Sequence, residues 1–155
     1  MNSMEQLYQQ VILDHSRERH GEGLLEDYAA ESFQVNPTCG DEVRLRLRLD
    51  HDAEPRVAAL GWQGQGCSIS QASLSVMTDL VVGRTVSEVD RTAEAFRELM
   101  HLRGAEPSAE LLDELGDGAA FTGVARFPAR VKCGLLGWMA LRDALAKALT
   151  SPPAR

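Results

Sequence analysis

The chain has 155 residues, a length at which one domain buries most of the surface that its unfolded form exposes. Its 16 basic and 23 acidic residues give a net charge of -7, which disfavours nucleic acid as a partner. No stretch approaches the roughly 20 apolar residues that cross a bilayer, and Glu5 and Asp14 stand where a signal peptide would be basic and then apolar. We therefore expect a cytoplasmic protein without a membrane partner, with a single domain over residues 1–150 and a disordered tail over 151–155.

The N-terminal part of the chain predicts a helix and then a loop. Residues 4–19 carry apolar side chains at helical spacing, and Ser3 opens a segment of capping-box form. A short extended segment over residues 31–36 then runs into a cluster of turn residues. This cluster places Cys39 in a loop.

A pair of strands follows this loop. Residues 43–49 alternate strictly between aliphatic side chains and arginines, which is typical of a strand with one buried face. Residues 57–63 form a second strand after an acidic turn, so an antiparallel hairpin is the natural pairing. The hairpin leads directly to Cys67.

The rest of the chain is predicted to be mainly helical. Serine N-caps, apolar periodicity and a glycine-rich connection over residues 116–123 divide it into four helices. The predicted ranges are 68–82, 87–102, 108–115 and 130–149. We expect these helices to pack beside the sheet.

The three cysteines all lie where regular structure is interrupted. Cys39 is in a loop, Cys67 lies at a strand-to-helix junction, and Cys133 falls in the first turn of the last predicted helix. Breaks at one edge of a sheet can converge, and two helix N-termini would lower the pKa of the thiols beside them. Three cysteines in a reducing compartment favour metal binding or thiol chemistry over a disulfide framework.

Asp41 adds a carboxylate two residues after Cys39, and Gly40 relaxes the backbone between them. Three sulfurs and one oxygen would form a tetrahedral set that suits Zn2+. The alternative is that each cysteine is a small buried apolar side chain, and the spacing alone does not exclude it because no Cys-x-x-Cys knuckle is present. A glycine beside each cysteine favours the metal.

Three sequence segments resemble the signature motifs of the SufU family, which belongs to the IscU-like superfamily of iron-sulfur cluster assembly proteins. The segments are VNPTCGD at 35–41, GQGCSIS at 64–70 and FPARVKC at 127–133, and LYQQVILDH at 7–15 is similar to the family's first helix. The motifs occur in the family's order, and the resemblance extends over about residues 4–149.

The resemblance implies an α+β fold in which a three-stranded antiparallel sheet is packed with helices. It implies that a zinc ion is held by Cys39, Asp41, Cys67 and Cys133. It further implies that Cys39 accepts persulfide sulfur from a SufS-type cysteine desulfurase, after a histidine of that enzyme takes the place of this thiolate on zinc. The chain would then act as a persulfide-relay sulfurtransferase that serves downstream iron-sulfur assembly proteins.

Lys132 separates this chain from the IscU-like scaffolds, which carry a histidine immediately before the last cysteine. A protonated lysine is a poor ligand for a cluster iron. Two alternatives nevertheless stay open. The protein could be a scaffold on which a transient [2Fe-2S] cluster is assembled, or a zinc domain in which the metal only supports folding.

Other polar residues have less specific interpretations. We expect His15 to face solvent or to cap the first helix, and Arg130 and Lys132 either to face water or to orient Asp41 or a persulfide. The arginines of the alternating strand are expected to form a solvated face, and Trp62 and Trp138 to belong to the core. The histidines not expected to bind metal are His20, His51 and His101.

Overall fold

The computed structural model describes residues 2–51 and 53–150. Its sheet has three antiparallel strands in the order β1-β2-β3, namely β1 (Ala30–Asn36), β2 (Asp41–Asp50) and β3 (Arg56–Gln65). Within the described part of the chain five α-helices accompany the sheet, so the predicted α+β fold is confirmed. The predicted tail over residues 151–155 lies outside the described residues, and the single domain stays a prediction.

The alternation predicted for β2 is visible in its burial. Val43, Leu45 and Leu47 are almost completely buried, while the arginines between them point to the other face. That face is not simply solvated, because Glu31 of β1 forms ion pairs with two of the arginines. Arg46 Nε donates to a Glu31 carboxylate oxygen at 2.7 Å. The expected basic stripe is therefore partly neutralised within the sheet.

The helix bounds follow the capping residues. The helices are α1 (Ser3–Glu18), α2 (Ser68–Val81), α3 (Val86–His101), α4 (Ala109–Leu115) and α5 (Pro128–Thr150). Asn2, and not Ser3, caps α1 by accepting the Glu5 backbone N–H at 2.8 Å. The glycine-rich connection forms two 3-10 helices, Gly116–Thr122 and Val124–Arg126.

The core lies between the sheet and the helices. The last helix, α5, packs across β1 and β2, and α2 packs against both α5 and α1. Trp62 is fully buried, and Trp138 stacks on Phe96 with their ring centroids 4.9 Å apart. Burial of a large apolar side chain contributes roughly 1.5–3 kcal/mol, so these predicted core residues stabilise the fold substantially.

Packing brings one end of the sheet close to two helices. The β1–β2 turn, the start of α2 and the beginning of α5 meet there, as the contacts among Asp41, Cys39, Cys67 and Cys133 show. Among the described residues, no helix combines the length and the apolar character needed to cross a membrane.

Candidate metal centre

The turn between β1 and β2 presents Cys39 to solvent. Asn36 shapes this turn: its backbone carbonyl accepts the Gly40 N–H at 2.8 Å, and its side-chain oxygen accepts the Thr38 N–H at 3.1 Å. Gly40 has φ 77°, a backbone conformation that residues with a Cβ seldom adopt. The thiol of Cys39 is thus exposed, and the chain turns back into β2 at Asp41, which is 4% exposed.

Cys67 is the N-cap residue of α2 and lies at the positive end of the helix dipole. Its side chain makes no capping hydrogen bond and is exposed. The predicted junction is confirmed, although Ser68 is the first residue of the helix and not its cap.

Cys133 differs from its predicted setting. The last helix begins at Pro128, two residues earlier than expected, so Cys133 lies in the second turn and not the first. Burial, with hydrogen bonds to Asp41 and Cys39 and the neighbouring negative charges, raises the pKa of the Cys133 thiol. The expected lowering by the helix dipole is wrong for this residue, because the dipole effect fades beyond the first turn.

Three of the four predicted ligands form one cluster, and the fourth, Cys67, contacts it through Asp41. Donor atoms of Cys39, Asp41 and Cys133 all lie within 4.8 Å of one another. The sulfurs of Cys39 and Cys133 are 3.5 Å apart, and the Cys67 sulfur lies 3.8 Å from an Asp41 carboxylate oxygen. Segments that are separated by up to 94 residues therefore bring two thiols and one carboxylate together, and the third thiol lies beside the carboxylate.

This donor set fits a zinc ion. Zinc–sulfur bonds of about 2.3 Å in a tetrahedron place two sulfurs about 3.8 Å apart, close to the 3.5 Å between Cys39 and Cys133. Gly66 leaves room for the arrangement, since a Cβ there would lie 2.7 Å from Asp41 Oδ1 and 2.4 Å from Ser70 Oγ. A mixed set of three soft sulfurs and one oxygen is also within the range that iron accepts.

The two basic residues near Cys133 do not complete the centre in this structure. The Arg130 guanidinium lies over the Phe127 ring, 5.4 Å from its centroid, and both Arg130 and Lys132 are exposed. Their predicted role in orienting Asp41 or a persulfide stays a prediction.

A second group of side chains was not anticipated from the sequence. His15 is 5% exposed, contrary to the expected solvent-facing position, and its donor atoms lie close to those of His20 and Asp79. The sequence carried no signal for this contact, because it depends on how α1 packs against α2.

The chain is similar in sequence to known proteins over most of its length. Residues 7–134 match the model of the NifU-like N terminal domain. The chain is 38% identical over 145 residues to the zinc-dependent sulfurtransferase SufU of Bacillus subtilis, with 94% of this chain and 93% of that protein covered. It is also 38% identical over 148 residues to the iron-sulfur cluster assembly scaffold protein IscU of Streptococcus pyogenes, with 95% and 87% covered.

A solved structure shares the same architecture. It is from Fervidobacterium islandicum AW-1 and is described as an iron-sulfur cluster assembly scaffold protein for the SUF system. The two structures superpose with a TM-score of 0.75 at 33% identity, covering 93% of this chain and 99% of the other.

Proposed function

Because this chain belongs to the NifU-like N-terminal domain family, which its SufU and IscU relatives share, we propose that it accepts persulfide sulfur from a SufS-type cysteine desulfurase. It then relays that sulfur to downstream iron-sulfur assembly proteins. The observation that carries the proposal is the pairing of an exposed Cys39 thiol with buried donors from Asp41 and Cys133.

The proposed cofactor is one zinc ion held by Cys39, Asp41, Cys67 and Cys133. When bound, zinc would keep its thiol ligands deprotonated at neutral pH. This matters most for Cys133, whose pKa is raised by burial and by its acidic neighbours. The centre would therefore hold as a thiolate a Cys133 side chain whose raised pKa otherwise favours the thiol.

The sulfur transfer needs no outside oxidant or reductant. The Cys39 thiolate attacks the terminal sulfur of the desulfurase persulfide, and a new sulfur–sulfur bond forms on Cys39. The original sulfur–sulfur bond breaks, and the desulfurase cysteine leaves as a thiolate with the bonding electron pair. Cys39 is suited to this step because it lies at the tip of a turn, where a partner can reach it.

Two of the segments that carry proposed ligands also carry an exposed apolar side chain. Val35, just before the turn, is 47% exposed, and Phe127, just before α5, is 52% exposed. Exposed apolar side chains of this kind are typical of protein-binding surfaces. We propose that the desulfurase contacts them when it delivers sulfur.

The test is the rate of alanine release by a SufS-type desulfurase that is given excess cysteine, with and without the zinc-loaded protein. We expect a large stimulation that Cys39→Ala abolishes. The matched control is Thr38→Ala, which changes an exposed residue of the same turn but leaves the thiol in place. Absence of stimulation by the zinc-loaded protein, with a competent desulfurase, would refute the sulfur-acceptor role.

A scaffold on which a [2Fe-2S] cluster is assembled is the second candidate, and the equally high identity to an IscU-type scaffold favours it. Lys132 argues against it, because a protonated amine does not ligate iron. Anaerobic reconstitution distinguishes the two functions. A stable cluster that can be transferred to an apo-acceptor would support the scaffold.

A further inference from the structure

A buried amide beside the candidate metal centre has an unpaired hydrogen-bond donor. Asn36 is the last residue of β1 and is 7% exposed, and its side-chain nitrogen has no hydrogen-bond partner among the described residues. The oxygen of the same amide accepts the Thr38 N–H at 3.1 Å. Because only the oxygen of an amide can accept a hydrogen bond, this contact fixes which end of the amide is the nitrogen. A buried N–H without an acceptor destabilises a folded protein, so it needs an explanation.

The register of the sheet places Asn36 directly opposite Asp41. Both side chains are buried, and both occupy positions of their strands that alternate towards the core. The Cβ atoms of two directly opposed residues lie about 4.5–5.5 Å apart, a separation that an asparagine and an aspartate side chain can bridge with one hydrogen bond. The Asp41 carboxylate is therefore within reach of the unpaired Asn36 N–H.

Cys39 is the other proposed ligand close to Asn36 along the chain. Its thiol is exposed in the turn, however, whereas the Asn36 side-chain nitrogen is buried. Sulfur is also a weaker hydrogen-bond acceptor than an ionised carboxylate. Asp41 is thus the better partner for this amide.

The proposed ligand set would create a need for such a donor. Three thiolates and one carboxylate carry four negative charges, of which Zn2+ neutralises two. The thiols of Cys67 and Cys133 lie close to the Asp41 carboxylate, and neither would keep its hydrogen as a ligand of the ion. The carboxylate would then depend on another donor, and carboxylates that bind metals are usually hydrogen-bonded in this way.

We propose that Asn36 is a positioning residue, whose side-chain N–H donates to the Asp41 carboxylate and orients it for the ion. This inference rests on the zinc centre of the proposed function. A neutral amide supplies the donor without adding charge in a buried place, whereas the basic side chains of Arg130 and Lys132 are exposed. The same amide holds the turn through the Thr38 N–H, so one residue links the shape of the turn to the orientation of a buried ligand.

The first test is the zinc affinity of the full-length protein, measured by competition with a chromogenic chelator. Asn36→Ser keeps a side-chain oxygen that can accept the Thr38 N–H but removes the amide N–H. We expect it to weaken zinc binding roughly 10–100-fold. In an Asp41→Ala background the same substitution should change the affinity by less than about twofold, because the acceptor is already absent. A residue that only shapes the turn would weaken binding equally in both backgrounds.

Gln34→Ser is the matched control. Gln34 occupies a core-facing position of the same strand, but its amide nitrogen already donates to Ser32 Oγ at 3.0 Å. Neither residue is a proposed ligand. The substitution also replaces an amide by a hydroxyl, and it should leave the zinc affinity unchanged.

A second measurement uses the unaltered side chain, so it applies even if Asn36→Ser does not fold. In NMR spectra, zinc should shift one side-chain N–H proton of Asn36 downfield, and Asp41→Ala should remove this shift. The proposal would be overturned by unchanged Asn36 side-chain resonances, by unchanged zinc affinity in folded Asn36→Ser, or by equal losses of affinity in the two backgrounds. Failure of the unaltered protein to bind zinc would be a different result, because it would refute the proposed cofactor itself and this inference with it.

Discussion

Replacement of Gly66 by alanine should disturb the thiol centre through one added methyl group. The new Cβ would lie 2.7 Å from Asp41 Oδ1 and 2.4 Å from Ser70 Oγ, both closer than non-bonded contacts allow. Asp41 is almost completely buried, so its carboxylate has little room to retreat without leaving the other donors. The substitution therefore forces either the Asp41 carboxylate or the start of α2 to move.

Overpacking this well-packed site should lower the free energy of unfolding by about 1–3 kcal/mol. For a domain of this size, each kcal/mol lowers the Tm by roughly 2–4 °C, so the Tm should fall by about 2–12 °C. Zinc should also be lost faster to a chromogenic chelator, because one ligand is displaced.

Gly123→Ala supplies the matched control. Gly123 has φ -71° and ψ -30°, and a Cβ there meets nothing within 4 Å, so the same chemical change should be neutral or stabilise by roughly 0.4–1 kcal/mol. The assays are thermal unfolding and the rate of zinc transfer to the chelator. If Gly66→Ala matched Gly123→Ala in both, the inferred crowding around Asp41 would be wrong.

Two further predictions concern pH and metal removal. The hydrogen bond from Arg46, and secondarily that from Arg44, lowers the pKa of Glu31. The stabilisation that these ion pairs give the folded protein is therefore fully present above the usual pKa of 4.5. It disappears as the pH falls through the lower pKa that Glu31 has in the folded protein. Glu31→Gln should therefore destabilise by about 0.5–1 kcal/mol at pH 7 and by progressively less in acid, and a pH-independent difference in urea unfolding would contradict this. Removal of zinc by a chelator should lower the Tm, because the ion closes long loops, whereas an unchanged Tm after verified removal would refute metal-linked folding.

A comparison of Cys39→Ala with Cys67→Ala separates the sulfur acceptor from a purely structural zinc domain. Cys39 lies at an exposed turn, whereas Cys67 is the N-cap of a helix that packs into the core. If the protein is a purely structural zinc domain, the two variants should lose their fold equally.

The strands could be predicted because they depend on a local alternation of apolar and polar residues. The alternation in β2 matches the burial of Val43, Leu45 and Leu47 residue by residue, and a shift of one position would have exposed all three. The helix bounds were less predictable, since Asn2 and Ser3 are both good N-cap residues and the sequence does not show which of them accepts the Glu5 N–H.

The sequence motifs identified the candidate ligands, but they did not predict the environment of these residues. The pKa of Cys133 depends on its burial beside Asp41 and Cys39, which are far away in the sequence. His15 shows the same limit, because its partners Ser75 and Asp117 come from α2 and from the first 3-10 helix. Tertiary packing alone sets these properties.

The order of the ligands along the chain has a consequence during protein synthesis. Cys39, Asp41 and Cys67 are made early, while Cys133 follows 66 residues after Cys67, and a ribosome adds about 5–20 residues per second. The nascent chain therefore spends several seconds with two exposed thiols and an incomplete set of donors. The proposed centre can close only after most of the protein has been translated, so the proposed zinc would be acquired late in the maturation of the polypeptide.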